Sequence, residues 1–195
     1  MPLPTPLAAP LLLPIEALDA AAFAPFGEVI EAHPEGLRHP INEGTAERFH
    51  DLARIDTGAA GGRTLLSIFR AQARPLPLRV QLLERHLLGS QAFMPLQARP
   101  FLVVVAAAGP APGRGDLRCF LAAPGQGVNF TAGTWHHPLI ALEGGGDFLV
   151  IDRGGPEADV GAEAGAAGAI DCEDIDLTGL GLWIGPPADA WFGSC

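Results

Sequence analysis

Gly125-Gln-Gly-Val-Asn-Phe-Thr-Ala-Gly133-Thr-Trp-His136-His137-Pro138 decides the fold: a short apolar strand, a tight Gly turn and a second strand opening on paired histidines. Working outward, Trp135 to Leu142 reads as one strand and Phe148 to Ile151 as the next. Upstream, Asp116 to Leu121 reads as a strand, and the apolar run Phe101 to Ala106 as a buried one. From Leu78, strand alternation puts Val80, Leu82, Glu84 and His86 on one face and Arg79, Gln81, Leu83 and Arg85 on the other. Gly89-Ser90 turns the chain, and Gln91, Phe93 and Pro95 continue on a second strand. Thr64 to Arg70 and Gly27 to Ile30 are further strands; Leu18 to Phe26 has room for a helical turn or two, and residues 33–48 read as loop. Short strands between Gly/Pro turns, with 25 Gly and 19 Pro, predict a mainly β fold: an antiparallel β-barrel or jelly roll with few short helices. The expected division is an N-terminal arm over 1–19, the barrel over 20–153 and an acidic, Gly/Ala-rich extension over 154–195, whose Trp183 and Trp191 give it a means of folding back.

Composition narrows the chemistry. The sequence has no Lys and no Tyr, which excludes Schiff-base, lysine-base and tyrosine-acid mechanisms. All 12 basic residues are Arg, which binds anions and does not shuttle protons, so proton transfer falls to the six His, the carboxylates, the Cys or water. The net charge of −10 is concentrated in 154–195, which carries eight acids and no Arg. The body is nearly neutral, and neither part offers a basic stripe for nucleic acid. Three widely spaced Cys without a CxxC fit a reduced, cytoplasmic setting. The Pro-broken N-terminus does not read as a signal peptide, and no segment approaches the roughly 18 apolar residues of a membrane span.

Glu84, His86, Gln91 and His136 stand where the cupin superfamily places its metal ligands, with two residues from Glu84 to His86 and five from His86 to Gln91. The resemblance implies that these four converge and bind a divalent metal: nickel, manganese, iron or zinc. Two positions depart from the usual pattern, Glu84 standing for a His and Gln91 for a Glu, and a neutral amide is a poorer ligand than a carboxylate. The alternative for His86 and His136 is a hydrogen-bonded role at the barrel mouth. Alternation turns His137 away from His136, toward the surface or a subunit contact. Arg48 and Arg70 are the candidates to grip a small substrate carboxylate, with Arg85 on the far face from Glu84. Trp135 and Phe93 read as packing residues.

The ordered blocks Phe26-Gly-Glu-Val-Ile30, Ile41-Asn-Glu-Gly44, Glu84-Arg-His86, Ser90-Gln-Ala-Phe93, Gly127-Val-Asn129, Trp135-His-His-Pro138 and Asp147-Phe-Leu-Val-Ile-Asp-Arg153 resemble the ureidoglycolate lyase family. Leu87 stands where the family carries Pro, and the acidic tail lies outside the resemblance. The resemblance implies a cupin homodimer that cleaves ureidoglycolate to glyoxylate and urea in allantoin breakdown, without an organic cofactor. Glu84, His86 and His136 would be its catalytic groups, with Gln91, Ser90, Arg48 and Arg70 toward substrate. An amidohydrolase-type hydrolysis and a non-catalytic small-acid binding module are the alternatives.

Overall fold

Phe101-Leu-Val-Val-Val-Ala106 has no polar residue in either alternating set, so both faces of this strand must be covered. The computed structural model describes residues 9–33, 37–155 and 171–185, and in it all six residues are buried. Phe101, Val103 and Val105 point into a cluster with Phe23, Phe26, Phe93, Phe120, Phe130, Phe148 and Val150. Leu102, Val104 and Ala106 point the other way, to Leu13, Val80, Leu83, Trp135, Ile140, Leu182 and Ile184.

The first cluster lies between two facing sheets. One runs in the order Cys172–Asp176, Leu82–His86, Trp135–His136, Phe101–Ala106, Arg118–Ala122, Ile15–Ala17, with Ile140–Ala141 also paired to Phe101–Ala106. The other runs Gly27–Ile30, Gly127–Phe130, Gln91–Pro95, Gly146–Gly154, Arg63–Ala71. Phe101 of the first sheet meets Phe148 of the second edge to face at 5.2 Å, a favourable aromatic geometry. The second cluster is roofed by a small sheet of Leu11–Leu13, Leu182–Ile184 and Leu78–Val80. The α-helix, Ala20–Phe23, is capped by Asp19, whose carboxylate accepts from the Ala21 and Ala22 amides, and it delivers Phe23 to the core. The expected mainly β jelly roll takes this two-sheet form.

Several local readings are corrected. The row from Leu78 is broken at exposed Gln81: Val80 and Leu83, expected on opposite faces, both lie in the outer cluster. Only Leu82, Glu84 and His86 therefore keep a common face. Trp135 to Leu142 is two strands, because Pro138 has no N–H to donate and the ladder to Phe101–Ala106 resumes at Ile140. The stretch 33–48, read as loop, holds most of an exposed hairpin of Arg38–Ile41 and Ala46–Phe49, closed by Asn42, Glu43 and Gly44 at positive φ.

The terminal regions also enter the sheets. Leu11–Leu13 runs parallel to Leu182–Ile184, Ile15–Ala17 runs parallel to Arg118–Ala122, and Cys172–Asp176 pairs antiparallel with Leu82–His86. The linker expected before Asp171, beyond Gly155, and Trp191 lie outside the described residues.

Candidate active site

Glu84 and His86 share a face because they are two residues apart on one strand. Arg85 points to the other side, its guanidinium 4.2 Å above the Trp135 ring and bonded to Glu173 and the Gly109 carbonyl. On the neighbouring strand His136 is the register partner of Glu84, and its Nε2 lies 3.5 Å from Glu84 Oε1.

The turn before His136 fixes it there. Gly133 has φ +83°, a left-handed conformation that favours glycine, and its N–H donates to the His86 carbonyl at 2.7 Å. The two halves of the site are thereby joined through the backbone. The Thr134 hydroxyl donates to the Phe26 carbonyl at 2.9 Å. His136 Nδ1 lies 3.1 Å from the Thr134 carbonyl, which leaves Nε2 turned to the site. Beneath the imidazole the Phe130 ring stacks at 4.3 Å and 15°.

Gln91 completes a polar row. Its Oε1 lies 3.1 Å from His136 Nε2, and its Nε2 donates to Asp152 Oδ2 at 3.5 Å. His136 is 1% exposed, while the Glu84 side chain is 25% exposed, so the site meets solvent on the Glu84 side.

Burial raises the Glu84 carboxyl, but its hydrogen bond to His136 and the fields of His136, His86 and His137 outweigh that and hold it below its ordinary value. Burial, then repulsion by His136, lowers the His86 imidazole. Asp152 is pushed up, mainly by burial. At neutral pH the site thus holds an ionised Glu84 beside a neutral His86.

Glu84, His86 and His136 each offer a ligand atom, all within 4.8 Å of one another, and His86 Nε2 is buried without a hydrogen-bond partner among the described residues. A carboxylate with two imidazoles and an uncommitted ring nitrogen is a donor set that fits a divalent transition metal. Gln91 engages His136 and Asp152 through its amide. The site's open side is bordered by Cys172 and Asp174, the register partners of His86 and Glu84. The Cys172 thiol, pushed up to about 11 by burial and nearby carboxylates, stays protonated and is a poor ligand.

The remaining residues singled out from the sequence lie elsewhere. Ser90 is buried; its Oγ accepts from the Asp56 amide at 2.8 Å and donates to the Asp56 carbonyl at 3.3 Å, pinning that loop. Arg48 sits on the exposed hairpin with Nη2 2.7 Å from His50 Nδ1. Arg70 makes a two-pronged pair with Asp147 on the surface. His137 is part-buried, with Nδ1 2.6 Å from the Pro138 carbonyl. Sequence reading missed Thr134, Phe130 and Asp152. Of these Asp152 had a signal: it follows Phe148 and Val150 on the same alternating face, a charge in an inward row.

Comparison with known proteins places this constellation. A family model described as Ureidoglycolate lyase matches residues 10–168. A Burkholderia mallei protein named ureidoglycolate lyase is 56% identical over 144 residues, 73% of this chain and 83% of that one. Proteins of the same name from Azotobacter vinelandii and Brucella ovis are each 53% identical, covering 74% of this chain and 86% and 85% of their own length. With its fold, its paired site strands and this matched length in agreement, the chain belongs to the ureidoglycolate lyase family.

Proposed function

We propose that this chain cleaves ureidoglycolate to glyoxylate and urea, with Glu84, His86 and His136 as its working groups. The observation that carries the reading is the Glu84–His136 contact with His86 Nε2 beside it, unpartnered among the described residues, in a chain of this family. Ureidoglycolate bears a hydroxyl and a ureido nitrogen on the same carbon. Glu84, held ionised, takes the hydroxyl proton; the O–H pair becomes the new C=O, and the C–N pair leaves with the urea nitrogen. That nitrogen receives the proton, returned from the carboxyl of Glu84, so none is gained or lost. No water enters, and the reaction is a carbon–nitrogen elimination. His86 orients the hydroxyl through Nε2, and His136, locked by Thr134 and Phe130, steadies the Glu84 carboxylate. A divalent ion held by Glu84, His86 and His136 would add Lewis acidity, lowering the pKa of the substrate hydroxyl. Neither arginine singled out from the sequence supports a carboxylate role here, since Arg70 is engaged by Asp147 and Arg48 by His50 on an exposed hairpin.

The product assay tests this. Purified protein should release urea and glyoxylate in equal amounts above the spontaneous rate. Ammonia in place of urea would mean an amidohydrolase, and binding without turnover a small-acid binding module.

The family resemblance also favours a homodimer. Phe101 to Val105 are buried inside the chain and offer no surface for it. The better surface is the edge strand Arg63–Ala71, where Leu66 is 71% and Ile68 54% exposed on the sheet face away from the core. A second copy there would cover both. No described helix is long and apolar enough to cross a membrane. A cytoplasmic setting suits the free Cys119 and Cys172.

A further inference from the structure

Strand Gly146–Gly154 sends Phe148 and Val150 into the inner cluster, and Asp152, two residues on, keeps their side. A carboxylate at the end of an apolar row is costly unless its oxygens are satisfied. Among the described residues Oδ2 takes only the Gln91 amide, at the long limit of 3.5 Å. Oδ1 is buried and has no partner among the described residues. His86 Nε2 is the other site atom in that condition, and the fields of Asp152 and His86 act on each other. Two buried polar atoms left open at one place are what a site shows when its ligand supplies the missing hydrogen bonds.

The two ends of a ureido acid differ in what they can supply. Its carboxylate is an acceptor and an anion, and Asp152 would repel it. Its ureido nitrogens carry N–H donors, and an unsatisfied carboxylate oxygen is the complementary group. Glu84 is held near His136 by their contact, across the Gln91 amide from Asp152. We propose that Asp152 receives the ureido N–H groups of the substrate, orienting the urea half toward Asp152 and Gln91 and the reacting hydroxyl toward Glu84. This makes Asp152 a specificity-determining residue for the ureido end. It rests on the ureidoglycolate reading of the site and goes beyond it by assigning the direction in which substrate lies.

The test uses N-carbamoylglycine, a ureido acid that lacks the hydroxyl and cannot be split, and glyoxylate, which lacks the ureido group. Each is titrated calorimetrically into the full-length protein, so binding is read apart from turnover. Asp152→Leu should weaken N-carbamoylglycine about tenfold or more, the effect of losing one hydrogen bond to a charged group, and leave glyoxylate within about twofold. Asp152→Ala, which removes the acceptor without adding bulk, should give the same contrast. Asp152→Asn, which keeps an oxygen, should stay within about threefold of the parent. Equal weakening of both ligands, unchanged N-carbamoylglycine binding in the Leu and Ala variants, or no binding of it by the parent protein would overturn the assignment. Parent protein that binds N-carbamoylglycine through Asp152 but releases no urea would sink the lyase reading alone. Urea release by the parent with unchanged binding in the variants would sink the Asp152 assignment alone.

Discussion

Glu84 and His136 are register partners on adjacent antiparallel strands, with Oε1 and Nε2 3.5 Å apart. Because the pairing is set by backbone ladders, neither side chain has to search for the other, and the contact is in place before substrate arrives. Glu84→Gln keeps the shape and removes the base. Urea formation should fall by about 10²–10⁴ in kcat with little change in KM, as loss of a general base does. A comparable kcat in steady-state assays would remove Glu84 from the mechanism.

His136→Ala and His86→Ala should both abolish most activity but differ in stability. His136 is almost fully buried and stacked on Phe130, an aromatic contact of about 0.5–1.5 kcal/mol, whereas His86 is half-buried. The His136 variant should melt lower in calorimetry. His137→Ala, outside the Glu84–His86–His136 group, should keep near-normal turnover.

The pH dependence follows from two depressed groups. Glu84 and His86 both titrate below their ordinary values of 4.5 and 6.5. For such groups the native state is favoured above the unfolded value and loses stability as pH falls through the folded one. Stability from His86 should therefore begin to fall below pH 6.5, and that from Glu84 below pH 4.5. Turnover should be flat through neutrality and drop on the acid side as His86 protonates. A pH–rate profile with its acid limb above 6.5 would contradict the buried, neutral His86.

Metal content offers a separate check on the Glu84, His86 and His136 group, whose ligand atoms lie within 4.8 Å of one another. One divalent ion per chain is expected by elemental analysis. His86→Ala and His136→Ala should lose it, and His137→Ala should retain it. A parent protein fully active after exhaustive chelation, with no ion remaining, would confine the three residues to proton transfer and orientation.

Sequence patterns reach this site where strand alternation runs unbroken. Glu84 and His86 are two apart, and the Gly133 turn announces the strand carrying His136, so their convergence was legible. Alternation failed at Gln81, because a break in the ladder reverses the faces without any Gly or Pro to mark it. Likewise the role of Ser90 was hidden, since its partner Asp56 lies 34 residues away in a loop with no periodic pattern. Cys172 and Asp174 were hidden for a different reason. Edge strands of mixed polarity resemble linkers, and only the pairing with Leu82–His86 shows where Cys172–Asp176 belongs.

That edge strand is held at its start by Asp171, just beyond the residues the family match covers. Its Oδ1 accepts from the Leu88 amide at 2.6 Å, and its Oδ2 lies 3.4 Å from Arg153 Nη1, with both side chains under a tenth exposed. Arg153 also donates to the Ala59 carbonyl, so the pair ties the strand to two loops beside the site. Removing one member leaves a buried charge unpaired, which costs about 3–5 kcal/mol. Asp171→Ala should lose stability on that scale in denaturant unfolding, with a matching fall in activity as the Leu82–His86 edge loses its cover. Replacing both members, Asp171→Leu with Arg153→Met, should recover part of the loss, because no buried charge then remains. If Asp171→Ala unfolds at the parent's denaturant midpoint, the pair does not anchor this strand, and Cys172 and Asp174 are held beside Glu84 by the backbone ladder alone.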